Sequence, residues 1–289
     1  ITMTRLLRLQ LFRALKDKGT IIFTVITLVL GILSITFNFL LSRSIGQGGS
    51  ELFDDLFATS TLINSSFSLS STPMVLLIIM GVVLLYKESG WGTIRNQVVA
   101  GYSKIQIYFA NFIAMVIVLF TILFAYQLLT LGLGYLFGFE LGIETAAEAG
   151  VFFRKYGLNL LIFITEVAFM TFISLMFQNI IAPVFLVVIL PIFVGAILQT
   201  VVPIVVLMNQ SNAAQIIGGF EYVIWYQNTS LSISGFTYEM TSGIGGLLGA
   251  TLYDTSTLEF ILKTIGTNLA LNGIFLGLGS YLFSRKDLK

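Results

Sequence analysis

Residues 87–104 read Lys87-Glu88-Ser89-Gly90-Trp91-Gly92-Thr93-Ile94-Arg95-Asn96-Gln97-Val98-Val99-Ala100-Gly101-Tyr102-Ser103-Lys104, and the chain is uncharged on either side of them, over 69–86 and 105–131. A run of about 20 apolar residues is what a helix needs to cross a bilayer. The quoted stretch therefore joins two crossings through a polar elbow, the place where a greasy chain offers a shaped, charged surface to water.

Working outward, the same texture recurs. Of the 289 residues, 56% are apolar and only 10% charged, with a mean hydropathy of +0.96, against about 25% charged in soluble domains. This predicts an all-α integral membrane protein, one transmembrane domain over 1–289. Six spans are expected, at 20–41, 69–86, 105–131, 158–177, 181–207 and 264–283. Ser103 and Gln106 have the spacing of a capping box at the start of the third. The connection 178–180 is a tight turn. Residues 208–263 form a long external segment whose apolar stretches, 213–226 and 243–253, predict re-entrant helices that dip back into the leaflet.

The start of the chain has a different pattern. Over 4–18, Arg5, Arg8, Arg13 and Lys16 fall within roughly a 140° arc at about 100° per residue, with Leu7, Leu11, Ala14 and Leu15 on the other side. An amphipathic helix lying on the cytoplasmic leaflet is expected.

Charge orients the bundle. Six spans place both termini on one side, where Arg5, Arg8, Arg13, Lys16, Lys18, Lys87, Arg95, Lys104, Arg285, Lys286 and Lys289 face only Asp17, Glu88 and Asp287. The opposite loops are net acidic. The positive-inside bias puts both ends in the cytoplasm of a cell membrane, and a bacterial one is expected.

Several chemistries are excluded. The chain has no Cys and no His, so disulfides, thiolate and imidazole catalysis and zinc sites of the usual ligand types are absent. It also lacks G-x-x-x-x-G-K-[ST], so any ATP energy must come from a partner. No catalytic residue, no metal and no nucleic-acid partner is expected.

The elbow carries a family likeness. Glu88 at the end of one span, then Gly92-Thr93-Ile94-Arg95, a short apolar helix, Gly101, Ser103 and Lys104 resemble E-x-x-x-G-T-[LI]-R followed by G-x-[ST]-[RK], a pattern of the membrane subunits of ATP-binding-cassette exporters of the type-2 permease class. The likeness extends to the basic amphipathic start, the six spans and the long partly apolar loop before the last one. It implies a cytoplasmic coupling segment at 88–103, seated in a groove of an ATPase subunit. It also implies two such ATPase subunits, which hold ATP and Mg while this chain binds no cofactor itself, and a second permease subunit, identical or related. The residues themselves fit docking: Trp91, Ile94, Val98 and Tyr102 offer apolar anchors, and Arg95 and Lys104 offer charge, the aromatic-plus-arginine mixture of interface hot spots. A solvated loop with anchoring charges is the plainer reading of the same residues.

Inside the spans, polar groups stand out against their surroundings. Glu166 costs at least about 2.5 kcal/mol near the bilayer centre unless something relieves it, and reads either as lining a transport route or as bonded to another helix. Gln127, Asn268 and Asn272 are candidates for the same substrate pathway, although interhelical hydrogen bonds explain them as well. Gly273 and Gly277 have the spacing of close helix packing. Pro191 falls in mid-span, where it frees a backbone carbonyl and bends the helix, as a pivot or as a static kink.

Together these readings predict a permease subunit of an ATP-driven exporter, embedded in membrane lipid. The many aromatic side chains predict an apolar or amphipathic cargo such as a peptide, lipid-like molecule or drug. An ATP-independent channel or secondary carrier using Glu166 is the alternative, and a structural or sensory scaffold a third.

Overall fold

The computed structural model describes residues 3–45, 59–67, 71–90, 93–139, 141–143, 145–177, 179–191, 193 and 258–286, and among them there is no strand. Helix α1 spans Met3–Lys16 and α2 Lys18–Ile45; α3 spans Thr59–Ser65, α4 Thr72–Gly90 and α5 Thr93–Val99; α6 spans Lys104–Phe137 and α7 Ala146–Met176; α8, Ile181–Val184, runs into a π-helical turn at Phe185–Ile189, and α9 spans Leu258–Arg285.

Helix ends follow from local chemistry. Ser103 Oγ accepts the Gln106 N–H at 3.2 Å while Gln106 Oε1 accepts the Ser103 N–H at 3.1 Å, the reciprocal box expected at the start of α6. Gly138 closes α6 in the left-handed region, φ 77°, where a glycine carries no Cβ penalty. A second box, at Thr145-Ala146-Ala147-Glu148, starts α7: Glu148 N–H donates to Thr145 Oγ1 at 3.3 Å and Thr145 N–H to Glu148 Oε2 at 3.2 Å. Asp17 separates α1 from α2 and caps the latter, its Oδ2 accepting the Thr20 N–H at 3.2 Å.

Several helices run beyond the stretches expected to cross the membrane. The fourth span is expected from 158, and the Thr145 box starts its helix at Ala146. Likewise α6 continues past 131 to Phe137, and α9 begins at Leu258, inside the segment expected as an external loop. At 1.5 Å per residue α6 is about 51 Å long, well beyond a hydrocarbon core of about 30 Å.

Among the described residues, four helical stretches are long and apolar enough to cross a membrane, Lys18–Phe37, Lys104–Phe137, Ala146–Met176 and Ile261–Arg285. The second expected span is a helix, α4, whose uncharged part 72–86 rises only about 22 Å. The fifth, 181–207, is described only as far as Pro191 and Phe193. The rest of it, and nearly all of the external segment with its two re-entrant candidates, lies outside the described residues.

The bundle is built around α7. Of its most apolar window 67% is buried, against 22% for α2 and 11% for α9. Phe163, Val167 and Met170 of α7 share one core with Met74, Leu77, Ile78, Val82 and Leu85 of α4 and Ile107, Leu119 and Leu123 of α6. Gly81 permits that approach: a Cβ there would lie 2.5 Å from Met170 Sδ. Helices α6 and α7 run antiparallel, since Gln127 meets Tyr156 and Phe120 meets Phe163. Helices α7 and α9 run parallel, with Leu158 and Ile162 against Ile261 and Ile265, Thr165 against Asn272, and Phe169 and Phe172 against Phe275. Exposed apolar side chains cover α2 (Ile21, Ile22, Val25, Val29, Leu33, Phe37) and α9 (Leu262, Leu269, Ile274, Leu278). Such faces are at home in lipid, and the chain is a multi-pass transmembrane protein.

Among the described residues α9 packs closely at Gly279, where a Cβ would overlap the Tyr108 hydroxyl, while none of them comes within 4 Å of where a Cβ would sit at Gly273 or Gly277.

Candidate functional site

The elbow between α4 and α6 is held from three sides. Trp91 and Gly92 lie outside the described residues. Thr93 opens α5 and ties it back to α4, its hydroxyl donating to Glu88 O at 2.6 Å and standing 3.1 Å from Glu88 Oε2. After Val99 the chain turns through Gly101, at φ 91°, a backbone conformation that costs other residues strain. The Tyr102 N–H donates to Gln97 O at 3.1 Å, which closes the turn and aims the chain into α6.

The residues expected to face a partner divide in two. Ile94 is only 2% exposed, and Val98 and Tyr102 pack against the same core, so these three anchor the elbow to its own bundle. Arg95, Asn96, Ala100 and Gly101 are exposed, and Val99 is 81% exposed. The outward surface of α5 is therefore Arg95, Asn96 and Val99. Lys104 is also turned inward: its Nζ donates to Ser284 O at 3.1 Å and Lys286 O at 2.7 Å, satisfying carbonyls left open at the end of α9. Lys286 repeats the arrangement on α7, donating to Leu175 O at 2.8 Å and Met176 O at 3.2 Å. Both place a cation at the negative end of a helix. Burial lowers the Lys286 pKa.

A set of contacts from α1 completes the elbow, and reasoning from sequence missed it. Arg13 Nη1 lies 3.2 Å from Glu88 Oε2, with the two side chains 35% and 12% exposed. Lys87 Nζ donates to both carboxylate oxygens of Asp17 at 2.9 Å. Gln10 Nε2 donates to Gln97 Oε1 at 3.4 Å within the α1–α5 contact. Glu88 thus receives Arg13 from one side and the Thr93 hydroxyl from the other, which couples the placement of α5 to that of α1. A cleft of about 290 Å³ opens between α1 and α4, lined by Phe12, Arg13, Lys16, Leu84, Lys87 and Met115 among others. The only trace in the sequence is complementary sign: Arg13 and Asp17 one helical turn apart, Lys87 and Glu88 side by side.

The expected pathway residues do not converge on one chamber. Gln127 is sealed at 4% exposure, donating to Ser66 Oγ at 3.0 Å and accepting from the Tyr156 hydroxyl at 2.9 Å, so it pins α3 and α7 to α6. Asn272 Nδ2 donates to Thr165 Oγ1 at 2.7 Å and to Asn268 O at 2.9 Å, while Asn268 donates to Thr264 O within its own helix. Glu166, next to Thr165, is 6% exposed, and neither carboxyl oxygen has a hydrogen-bond partner among the described residues. It lies about 15 Å along α7 from the Gln127–Tyr156 contact, at 1.5 Å per residue. Pro191 is buried and lies two residues beyond the end of the π-helical turn. There Leu190 N–H reaches back to Phe185 O, a wider turn of the kind that accompanies helix kinks.

No group of three or more metal-ligating side chains occurs among the described residues. Compared with protein-family models, curated proteins and solved structures, the chain matches none.

Proposed function

We propose that the chain is the membrane-spanning permease subunit of an ATP-driven exporter, with α5 as the helix that docks on a cytoplasmic ATPase subunit. One observation carries the reading: a short helix, set between two apolar helices, is braced from α1 and α4 and turns Arg95 and Val99 outward. A brace of that kind makes α5 a lever. A push on its outer face moves α1, α4 and α6 together, which a free loop would absorb. The family likeness of the elbow supplies the identity of the partner, an ATP-binding subunit in two copies, alongside a second permease subunit. Both termini and the elbow then face the cytoplasm, in keeping with the basic bias of those segments. The cargo is apolar or amphipathic on this reading.

Co-purification tests it. An ATP-binding subunit should stay with the parent chain and be lost from an Arg95→Ala/Val99→Asp variant that still folds. Retention by that variant, or labelling of Arg95→Cys only from outside the cell, would overturn the assignment.

Glu166 favours a second reading, an ATP-independent carrier. A carboxyl buried in a span without a hydrogen-bond partner among the described residues is a natural coupling group. Under that reading Glu166→Gln abolishes transport and Arg95→Ala does not; the exporter reading predicts the reverse ranking.

A further inference from the structure

Helix α1 has two sides with opposite tasks. Leu6, Gln10 and Ala14 are 1%, 3% and 5% exposed where the helix meets the bundle. On the far side, advancing about 100° per residue, exposed Arg5, Arg8 and Lys16 interleave with Leu9, Phe12 and Leu15, which are 47%, 58% and 54% exposed. No acidic residue occurs in α1. The two carboxylates nearest its end, Asp17 and Glu88, already hold Lys87 and Arg13. The arc therefore carries three cations that no carboxylate of the described chain neutralises. Lys16 Nζ lies 4.5 Å from the centre of the Phe12 ring, so cation and apolar side chain stand at one level.

Interleaving suits a leaflet boundary, where apolar side chains dip toward acyl chains while the ends of Arg and Lys reach phosphate. Position agrees: Asp17 joins α1 directly to α2, whose exposed Ile21 and Ile22 begin a lipid-facing surface. We propose that the exposed arc of α1 is a binding site for an anionic phospholipid, with Arg5, Arg8 and Lys16 on its headgroup and Leu9, Phe12 and Leu15 against its acyl chains. Net charge sets the selectivity, since a zwitterionic lipid offers the same phosphate with its charge cancelled. The site is independent of the identity of any ATPase partner.

The test uses the full chain in neutral detergent with an equimolar mixture of dioleoyl phosphatidylglycerol and dioleoyl phosphatidylcholine, retained lipid being read by native mass spectrometry. The parent should keep phosphatidylglycerol preferentially. Each cation near a charged surface is worth about fivefold in affinity, so Arg5→Gln/Arg8→Gln/Lys16→Gln should weaken phosphatidylglycerol on the order of 100-fold, with the melting temperature in phosphatidylcholine unchanged. Arg5→Lys/Arg8→Lys should retain the preference, because a point charge suffices. Equal retention of both lipids by the parent, or undiminished phosphatidylglycerol on the triple variant, would overturn the proposal. So would a triple variant that keeps the lipid but sheds a bound acidic protein, which would make the arc a protein contact.

Discussion

The brace between α1 and the elbow makes an asymmetric prediction. Arg13 and Glu88 stand 3.2 Å apart, but the arginine side chain is 35% exposed and the carboxylate 12%. Exposed ion pairs contribute about 0.2–1 kcal/mol, whereas removing one partner of a buried pair costs about 3–5 kcal/mol because the other charge is stranded. This pair lies between those limits, and its two ends differ. Arg13→Met leaves a mostly buried carboxylate with only neutral neighbours, the Thr93 hydroxyl and the Gln10 amide, and should destabilise by about 2 kcal/mol. Glu88→Gln keeps the Thr93 contact and leaves a guanidinium that water can reach, so about 1 kcal/mol is expected. The coupling energy from the double-mutant cycle should be about 1 kcal/mol and should fall in 0.5 M salt, since the pair is partly open to solvent. Thermal unfolding of the purified chain in neutral detergent reads these differences, at roughly 2–4 °C per kcal/mol for chains of this size. Because the chain has no native cysteine, Gln10→Cys/Gln97→Cys also permits a direct check with a short bis-maleimide, which alkylates both thiols. Additive single-variant effects together with no cross-link would show that α1 does not grip the elbow, and the lever argument for α5 would go with it.

Other outcomes follow from single contacts. Gly279→Ala should destabilise by about 1–3 kcal/mol, because its methyl meets a Tyr108 hydroxyl already held to Phe275 O at 2.9 Å; Gly273→Ala, which meets none of the described residues, should cost less, and equal melting temperatures for the two would refute the packing assigned to Gly279. For Lys286, burial lowers the pKa below the 10.5 of a free lysine. The folded chain therefore releases this proton first as the pH rises, and the unfolded chain binds more protons between the two values. The stability difference between the parent and Lys286→Met should accordingly grow as the pH climbs through that window; a difference that shrinks would show the ammonium to be stabilised where it sits.

Much of the architecture was legible because lipid imposes a simple rule. Uncharged runs of spanning length marked the apolar helices, and the Ser103–Gln106 box was readable since capping depends on residues three apart. The Thr145–Glu148 box has the same spacing, and it starts α7 well before the stretch expected to cross. Helix α3 left no comparable signal, because Thr59–Ser65 is polar and becomes ordered through contacts to α6 and α7: Thr59 lies against Gly134, and Ser66, just beyond it, accepts from Gln127.

What the sequence by itself determined is the solvent and the secondary structure: an all-helical chain for lipid, with one polar elbow between two apolar runs. Only the tertiary structure decided which charges are used up inside. Lys104 and Lys286 satisfy helix ends, Ile94 faces its own core, Arg13 takes Glu88, and α5 keeps Arg95 and Val99 for the outside. The physical reason is that hydropathy and capping are properties of neighbours along the chain, whereas an ion pair between residues 13 and 88 exists only once packing has brought two distant helices within 3.2 Å.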